Sequence, residues 1–386
     1  MQVVHVAEVT LGGVGAYLGE VAGFQSRAFG GSNVSFVVPE GSEGYLADVD
    51  PSQIIAFPRG GRSPLDLVRF GRKAAQAIRE IEPDLVHLHS TFAGAVLRPI
   101  LATMSKRPKV VYCPHGWAFS IEGSNLKRLL YARYERLLVP RSDLIVVNSD
   151  SERRLGVHYG IDPSKMLTIW NGVSSIAGLK DDPPRAAHAP VQVAFIGRFD
   201  RQKGLDLLLD AVEMLPMEAL HLHLVGKGDV YGMGGPSRVE RDNITAHGWL
   251  SREEVFALLR RMDVVVMPSR WEAQGLVALE AMRSGVAVIA SDRGGLPEVV
   301  RNGIDGIIFD PDDPRALPRI LGSLDRDQLR QMGENGLRRF ESEFTADRMN
   351  MLLCRAYQRL VGAEVGTTAS DQPDHLTAGV ERGQGS

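Results

Sequence analysis

Short apolar runs rich in Val, Ile and Leu alternate with longer stretches that carry apolar residues at three- and four-residue spacing, along nearly the whole chain. This alternation predicts repeated strand–helix–strand units and parallel sheets. In the first half the expected strands are 3–9, 34–40, 54–58, 84–90, 109–116, 143–149 and 166–172. Helices are expected from the glycine-rich turn to about residue 29 and over 64–81. The strand runs are apolar along their length rather than at every second position, as in strands covered on both faces.

Residues 174–190 break the pattern with two adjacent prolines, charges and small residues, which marks a linker. The alternation then resumes with expected strands at 191–199, 220–226, 243–248, 263–269, 286–291 and 306–310, and a helix over 204–215. An α/β fold with two domains in series follows, since 386 residues exceed what one core organises. The expected division is 1–178 for the first domain and 179–343 for the second. A final helix over 344–362, apolar at helical spacing, is expected to return to the first domain. The polar, aperiodic segment 363–386 is expected to be a disordered tail.

Composition narrows the function. A net charge of −3 gives no electrostatic case for binding nucleic acid. Two cysteines, Cys113 and Cys354, with no CxxC, fit a reducing compartment and exclude a disulfide scaffold. The start MQVVHVAEV lacks the basic, long-apolar character of a signal peptide, and no run is long enough to span a membrane. The expected location is cytoplasmic, with any work at the inner face of a membrane done on its surface.

Ligands of open parallel α/β sheets bind at the C-terminal ends of the strands, and the informative residues lie there. Gly12, Gly13 and Gly15 follow the first strand and open a helix, where backbone amides favour an anion. A dinucleotide fingerprint counted from Gly13 needs glycine at 18 and meets Leu18. Gly197, Arg198, Lys203 and Gly204 follow the first strand of the second half, and two cations beside a helix N-terminus suit a diphosphate. Glu272 falls in the loop after the strand 263–269, and Glu280 lies inside the next helix, with Gln274, Gly275 and Leu276 between them. Two carboxylates flanking a helix start could hold hydroxyls at the two ends of one ligand while the amides hold phosphate.

Three other patterns point less clearly to chemistry. Asp48-Val49-Asp50 spells DxD but precedes any donor motif, and surface charge is the expectation. His87/His89 and His221/His223 each share one face of a strand, and with no third ligand in view no metal site is expected. The stretch 124–141 carries Lys127, Arg128, Arg133, Arg136 and Arg141 on an apolar helical pattern. Its apolar side is expected to pack on the first domain while its basic edge meets anionic lipid headgroups.

Together, Glu272-x7-Glu280, Gly197-Arg198-x4-Lys203-Gly204 and the early GGVG turn resemble the retaining GT-B glycosyltransferases of family 4; NGV at 171–173 and PHG at 114–116 are also similar to that family. The resemblance covers the chain to about Val361. It implies a GT-B fold, with two Rossmann-like domains whose parallel sheets face across a cleft. It also implies metal-independent transfer of a sugar, with no cofactor, from a nucleoside-diphosphate donor, UDP favoured, to a saccharide or lipid-linked saccharide. By the same resemblance Arg198 and Lys203 would bind the diphosphate, Glu272 the donor sugar, Glu280 the ribose, and His115 would lie beside the transferring sugar. Gly12, Gly13 and Gly15 would sit under the diphosphate, helped by Gly197, Gln274, Gly275 and Leu276. Gly226, Lys227, Trp249 and Leu250 would rim the nucleobase. Ala287 and Arg283 depart from residues common in the family. The rival readings are a GT-B epimerase, which needs no acceptor, a noncatalytic sugar-nucleotide binder, and a glycosidase, whose carboxylates must instead flank one bond.

Overall fold

A computed structural model describes residues 1–10, 12–58, 61–175, 190–228 and 238–362. The first sheet contains β1 (Val3–Ala7), β2 (Val34–Pro39), β3 (Ile54–Phe57), β4 (Leu85–His89), β5 (Lys109–Cys113), β6 (Leu144–Val147) and β7 (Met166–Thr168). The second contains β8 (Val191–Ile196), β9 (Leu220–Val225), β10 (Ile244–Gly248), β11 (Val264–Met267), β12 (Ala287–Ser291) and β13 (Gly306–Phe309).

All neighbouring strands run parallel, in the orders β3-β2-β1-β4-β5-β6-β7 and β10-β9-β8-β11-β12-β13. Strand order reverses at β1/β4 and at β8/β11, so each half has its crevice beside its own first strand. Every residue of β1, β2 and β4 is buried, which explains their unbroken apolar runs. The helix Pro64–Ile81 starts where its sequence says it should. Ser63 and Asp66 cap it reciprocally and Pro64 fills its first position.

The proline-rich linker falls largely on residues 176–189, and the tail on 363–386, both outside the described residues, as is the expected boundary at 178/179. Past the second sheet, the helix Ala346–Val361 lies against the first. Met349, Leu353 and Tyr357 pack with Val3, Tyr17, Val21, Leu85 and Val111. The crossover is held by backbone bonds between Val173 and both Phe344 and Ala346.

The basic helix Asn125–Leu138 departs from expectation. Only Ala132, Glu135 and Leu138 are buried, while Leu126, Leu129, Leu130 and Leu137 are each 58–66% exposed. Its apolar side therefore does not pack on the domain. A polar anchor holds the inner edge instead: Glu135 accepts from Arg98 at 2.6 Å and from Tyr112 at 3.0 Å, with the Arg98 guanidinium over the Tyr112 ring. Among the described residues no helix or sheet covers the leucines on the outer face.

Candidate active site

The loop after β8 begins at Gly197 and ends at Gly204, where the helix Leu205–Glu213 starts. It lies close to the loop after β9, because a Cβ on Gly226 would stand 1.8 Å from the Gly197 carbonyl. With φ at 140° there, only glycine fits. Lys203 reaches across to Glu272 in the loop after β11, Nζ to Oε2 at 2.5 Å. Arg198 is more than half exposed, donating to Gln202 at 2.8 Å and pairing with Asp200 at 3.0 Å. Gln202 in turn donates to the Trp271 carbonyl, and Arg270 N–H donates to Gln202 O, which stitches the two loops together.

Between Glu272 and Glu280, Gly275 caps the helix Leu276–Arg283, so the backbone N–H groups there are the free donors of a helix start. Gln274 is buried, and its amide bonds the backbone of Asn171, accepting at 2.6 Å and donating at 3.3 Å. Its side chain thus ties the NGV turn to this loop and leaves only its backbone to face a ligand. Glu280 is half-buried, and among the described residues neither carboxylate oxygen has a hydrogen-bond partner. Burial pushes its carboxyl above the usual range, against the pull of Arg283 and Arg252.

The first domain closes on this loop from the other side. A Cβ on Gly13 would lie 3.7 Å from Leu276 Cδ1, and one on Gly116 the same distance from Ala273. Gly12 and Gly15 stand in the same turn and first helical turn as Gly13. His115 precedes Gly116 with φ at 52°, a left-handed conformation rare for a side-chain-bearing residue. Its Nε2 is 3.0 Å from His89 Nδ1, its Nδ1 3.3 Å from Asn148 Nδ2, and Tyr17 meets its ring edge-on. Burial pushes its imidazole down to about 3. An ion pair of Glu20 with Arg252 also spans the two halves.

Gly226, Lys227, Trp249 and Leu250 come together at the ends of β9 and β10. The Gly226 N–H donates to Gly248 O at 2.7 Å, Lys227 and Trp249 are exposed, and Leu250 packs partly into the second-domain core. Asp50 of the DxD stretch caps its own turn, accepting from Ser52 N–H. His221 and His223 bond Thr245 and His247 on the neighbouring strand. For His87 and His89 the absence of a third histidine is corrected: His5, on the adjacent strand, brings a ring nitrogen to within 4.8 Å of theirs.

Residues 11–175 match the Glycosyltransferase Family 4 model and residues 190–327 the Glycosyl transferases group 1 model. A Klebsiella pneumoniae protein described as an uncharacterized 41.2 kDa protein in the cps region is 30% identical over 84% of this chain and 90% of its own. The D-inositol 3-phosphate glycosyltransferase of Corynebacterium kroppenstedtii is 28% identical over 76% of this chain and 68% of its own. Anabaena HepE, solved with UDP and glucose, superposes with a TM-score of 0.77 at 18% identity, over 93% of this chain and all of its own.

The chain belongs to glycosyltransferase family 4. It is a glycosyltransferase of the GT-B type.

Three features of the glycosyltransferase's cleft escape sequence reasoning. Glu152 lies buried behind His115, accepting from the Gly116 and Asn148 backbone N–H groups at 2.7 Å each. Burial raises its carboxyl to about 7 despite those two donors. Gly294 and Gly295 let the loop after β12 lie on the Glu272 strand end, since a Cβ on Gly294 would stand 1.7 Å from Glu272 O. Glu298 accepts from the N–H groups of Asp150 and Ser151, joining the halves at a helix N-terminus. The Gly-Gly pair was the only one of these with a visible signal.

Proposed function

We propose that the enzyme is a retaining glycosyltransferase that takes a sugar from a nucleoside-diphosphate donor, UDP-linked, and passes it to a saccharide or lipid-linked saccharide without a metal ion. The observation that carries this reading is the polarity sequence along one cleft wall. A half-buried Glu280, whose carboxylate has no hydrogen-bond partner among the described residues, is followed by free helix-start amides at Gly275 and Leu276, then by the Lys203–Glu272 pair. A nucleotide sugar offers ribose hydroxyls, a diphosphate and sugar hydroxyls in that order. In this reading Glu280 accepts from the ribose, Lys203 and Arg198 with the helix amides hold the diphosphate, and Glu272 accepts from the sugar. As the nucleoside diphosphate departs, negative charge grows on oxygens that already face fixed cations and N–H dipoles, so little reorganisation is needed. Gly226, Lys227, Trp249 and Leu250 rim the base, and His115 stands beside the sugar. No enzyme nucleophile is assigned; the acceptor attacks from the face the leaving group vacates.

The acceptor is taken at a membrane surface. On the helix Asn125–Leu138 four exposed leucines share the outer face with Lys127, Arg133 and Arg136, while its single acid, Glu135, is consumed by Arg98. Apolar residues ringed by unbalanced cations fit anionic headgroups. Among the described residues no helix is long and apolar enough to cross a membrane, so contact would be from one side.

Calorimetry against a panel of nucleoside diphosphates and their sugars, in chelator, tests the donor reading. UDP and one UDP-sugar should bind to wild type and bind about tenfold or more weakly to Lys203→Ala and Glu280→Gln. An α-linked product from an α-linked donor, read from the anomeric proton coupling, should follow. Binding to none of the panel would end the reading.

A further inference from the structure

We infer that Gln25, His5 and His89 are positioning residues for His115: one buried hydrogen-bond chain fixes which ring nitrogen of His115 carries its proton and how the ring is turned. The consequence for turnover rests on the donor-site reading above; the chain itself does not.

Strand pairing assembles it. His87 and His89 share a face of β4, and the parallel register sets His5 opposite His87 and Ala7 opposite His89. The His5 ring therefore stacks on His89 at 5.3 Å and lies tilted against His87 at 5.5 Å. His5 Nε2 lies 2.9 Å from Gln25 Oε1, and His5 Nδ1 lies 3.0 Å from His89 Nε2. His89 Nδ1 lies 3.0 Å from His115 Nε2, and His115 Nδ1 lies 3.3 Å from Asn148 Nδ2.

The proton positions then follow from one end. An amide oxygen can only accept, so His5 carries its proton on Nε2. A neutral imidazole has one N–H, which leaves His5 Nδ1 bare, and His89 must donate from Nε2. His89 Nδ1 is then bare in turn, and His115 donates from Nε2. At the far end Asn148 Nδ2 donates to His115 Nδ1, which leaves Asn148 Oδ1 to accept from the Cys113 thiol at 3.4 Å. Each link has one donor and one acceptor, with no conflict from Cys113 to Gln25. Burial keeps the rings neutral, pushing His5 down to about 4 and holding His89 well below its ordinary value. His115 Nδ1 is thereby held as an acceptor, and its link to Asn148 is the longest made by any of the three rings, the one a sugar hydroxyl can replace.

A metal ion on His5, His87 and His89 is the competing use of these rings. It would place two positive charges among three neutral ligands in a buried site, and His5 and His89 already spend their facing nitrogens on each other.

The test is long-range proton–nitrogen NMR on the full chain labelled with 15N-histidine, beside kcat, KM and UDP calorimetry. His5, His89 and His115 should all be in the Nε2–H form. In His89→Asn the amide oxygen falls where Nδ1 stood, so His115 should keep that form. His89→Phe and Gln25→Met should split the His115 signal between tautomers and lower kcat by about two- to tenfold, the worth of one neutral hydrogen bond, with UDP affinity unchanged. A wild-type His115 protonated on Nδ1 would overturn the proposal. So would Zn2+ shifting the His5, His87 and His89 signals together at equimolar metal, or an unchanged tautomer in both disruptive variants. Should those variants not fold, the wild-type and His89→Asn spectra still decide it. Failure of UDP to bind wild type would sink the donor reading and leave the tautomer result standing.

Discussion

Lys203 Nζ and Glu272 Oε2 stand 2.5 Å apart, joining the loops that follow adjacent strands β8 and β11 across 69 residues of sequence. Both side chains are mostly shielded, at 20% and 11% exposure, so water compensates little for the loss of either partner. Lys203→Ala should destabilise the fold by about 1–3 kcal/mol, because Glu272 is left half-buried and unpaired. The double variant with Glu272→Gln should recover part of that loss, giving a coupling energy of about 0.5–3 kcal/mol in urea unfolding. Strict additivity would mean that the pair does not exist in solution.

Glu280 behaves in the opposite way. It has no partner among the described residues and its carboxyl is raised by burial. Glu280→Gln should leave the unfolding midpoint equal or slightly higher, since an ion leaves a poorly solvated place. Affinity for the nucleoside diphosphate should fall by about one to two orders of magnitude, the worth of charge-assisted bonds to two hydroxyls. Lower stability with unchanged affinity would make Glu280 a structural residue.

Acid should unfold the protein early. His5, His87, His89 and His115 all have folded values below that of an unfolded histidine. The unfolded chain therefore binds more protons below about pH 6.5, and stability drops as pH falls through that value. At pH 5.5 the loss is on the order of 1 kcal/mol per histidine. Glu152, raised to about 7, and Glu280, also raised by burial, work the other way, their cost easing as pH falls from 7 toward 4.5. Four groups outweigh two, so urea midpoints should fall between pH 7 and 5.5; a flat profile would mean that the histidines are not buried as described.

Membrane contact makes a separable prediction. The wild type should float with phosphatidylglycerol vesicles and not with neutral ones, and release as salt is raised. Arg133→Glu with Arg136→Glu should abolish flotation, and Leu130→Ser should weaken it, with stability unchanged because all three side chains are exposed. Flotation that ignores both changes would place the contact elsewhere.

Turnover should be indifferent to chelators. The diphosphate is assigned to Arg198, Lys203 and helix amides, and the DxD carboxylate Asp50 is spent on its own turn. A loss of rate in EDTA that Mg2+ restores would contradict that assignment.

Thirteen strands, the helix Pro64–Ile81 and the helix Leu276–Arg283 were legible in the sequence. Local periodicity, glycine turns and caps are properties of neighbouring residues, and buried parallel strands announce themselves by unbroken apolar runs. Strand ends were overrun: 109–116 was expected and the strand stops at Cys113. The backbone leaves the sheet there for the left-handed turn at His115. The site's motifs were legible for the same local reason, as residue types at fixed offsets beside strand ends. What the motifs meet was not. Sequence pattern pairs no residue with another 69 or 84 positions away, so the Lys203–Glu272 pair and the His5–His89 contact had no signal. Nor does an amphipathic pattern say which side faces inward. The helix Asn125–Leu138 looked ready to bury its leucines, but the edge that faces inward carries Ala132, Leu138 and the Arg98–Glu135–Tyr112 anchor, formed by three separate segments, and leaves four leucines outside. Spacing along the chain determined the elements and the residue types at their ends; register between strands and the cost of burying charge decided which of those residues touch.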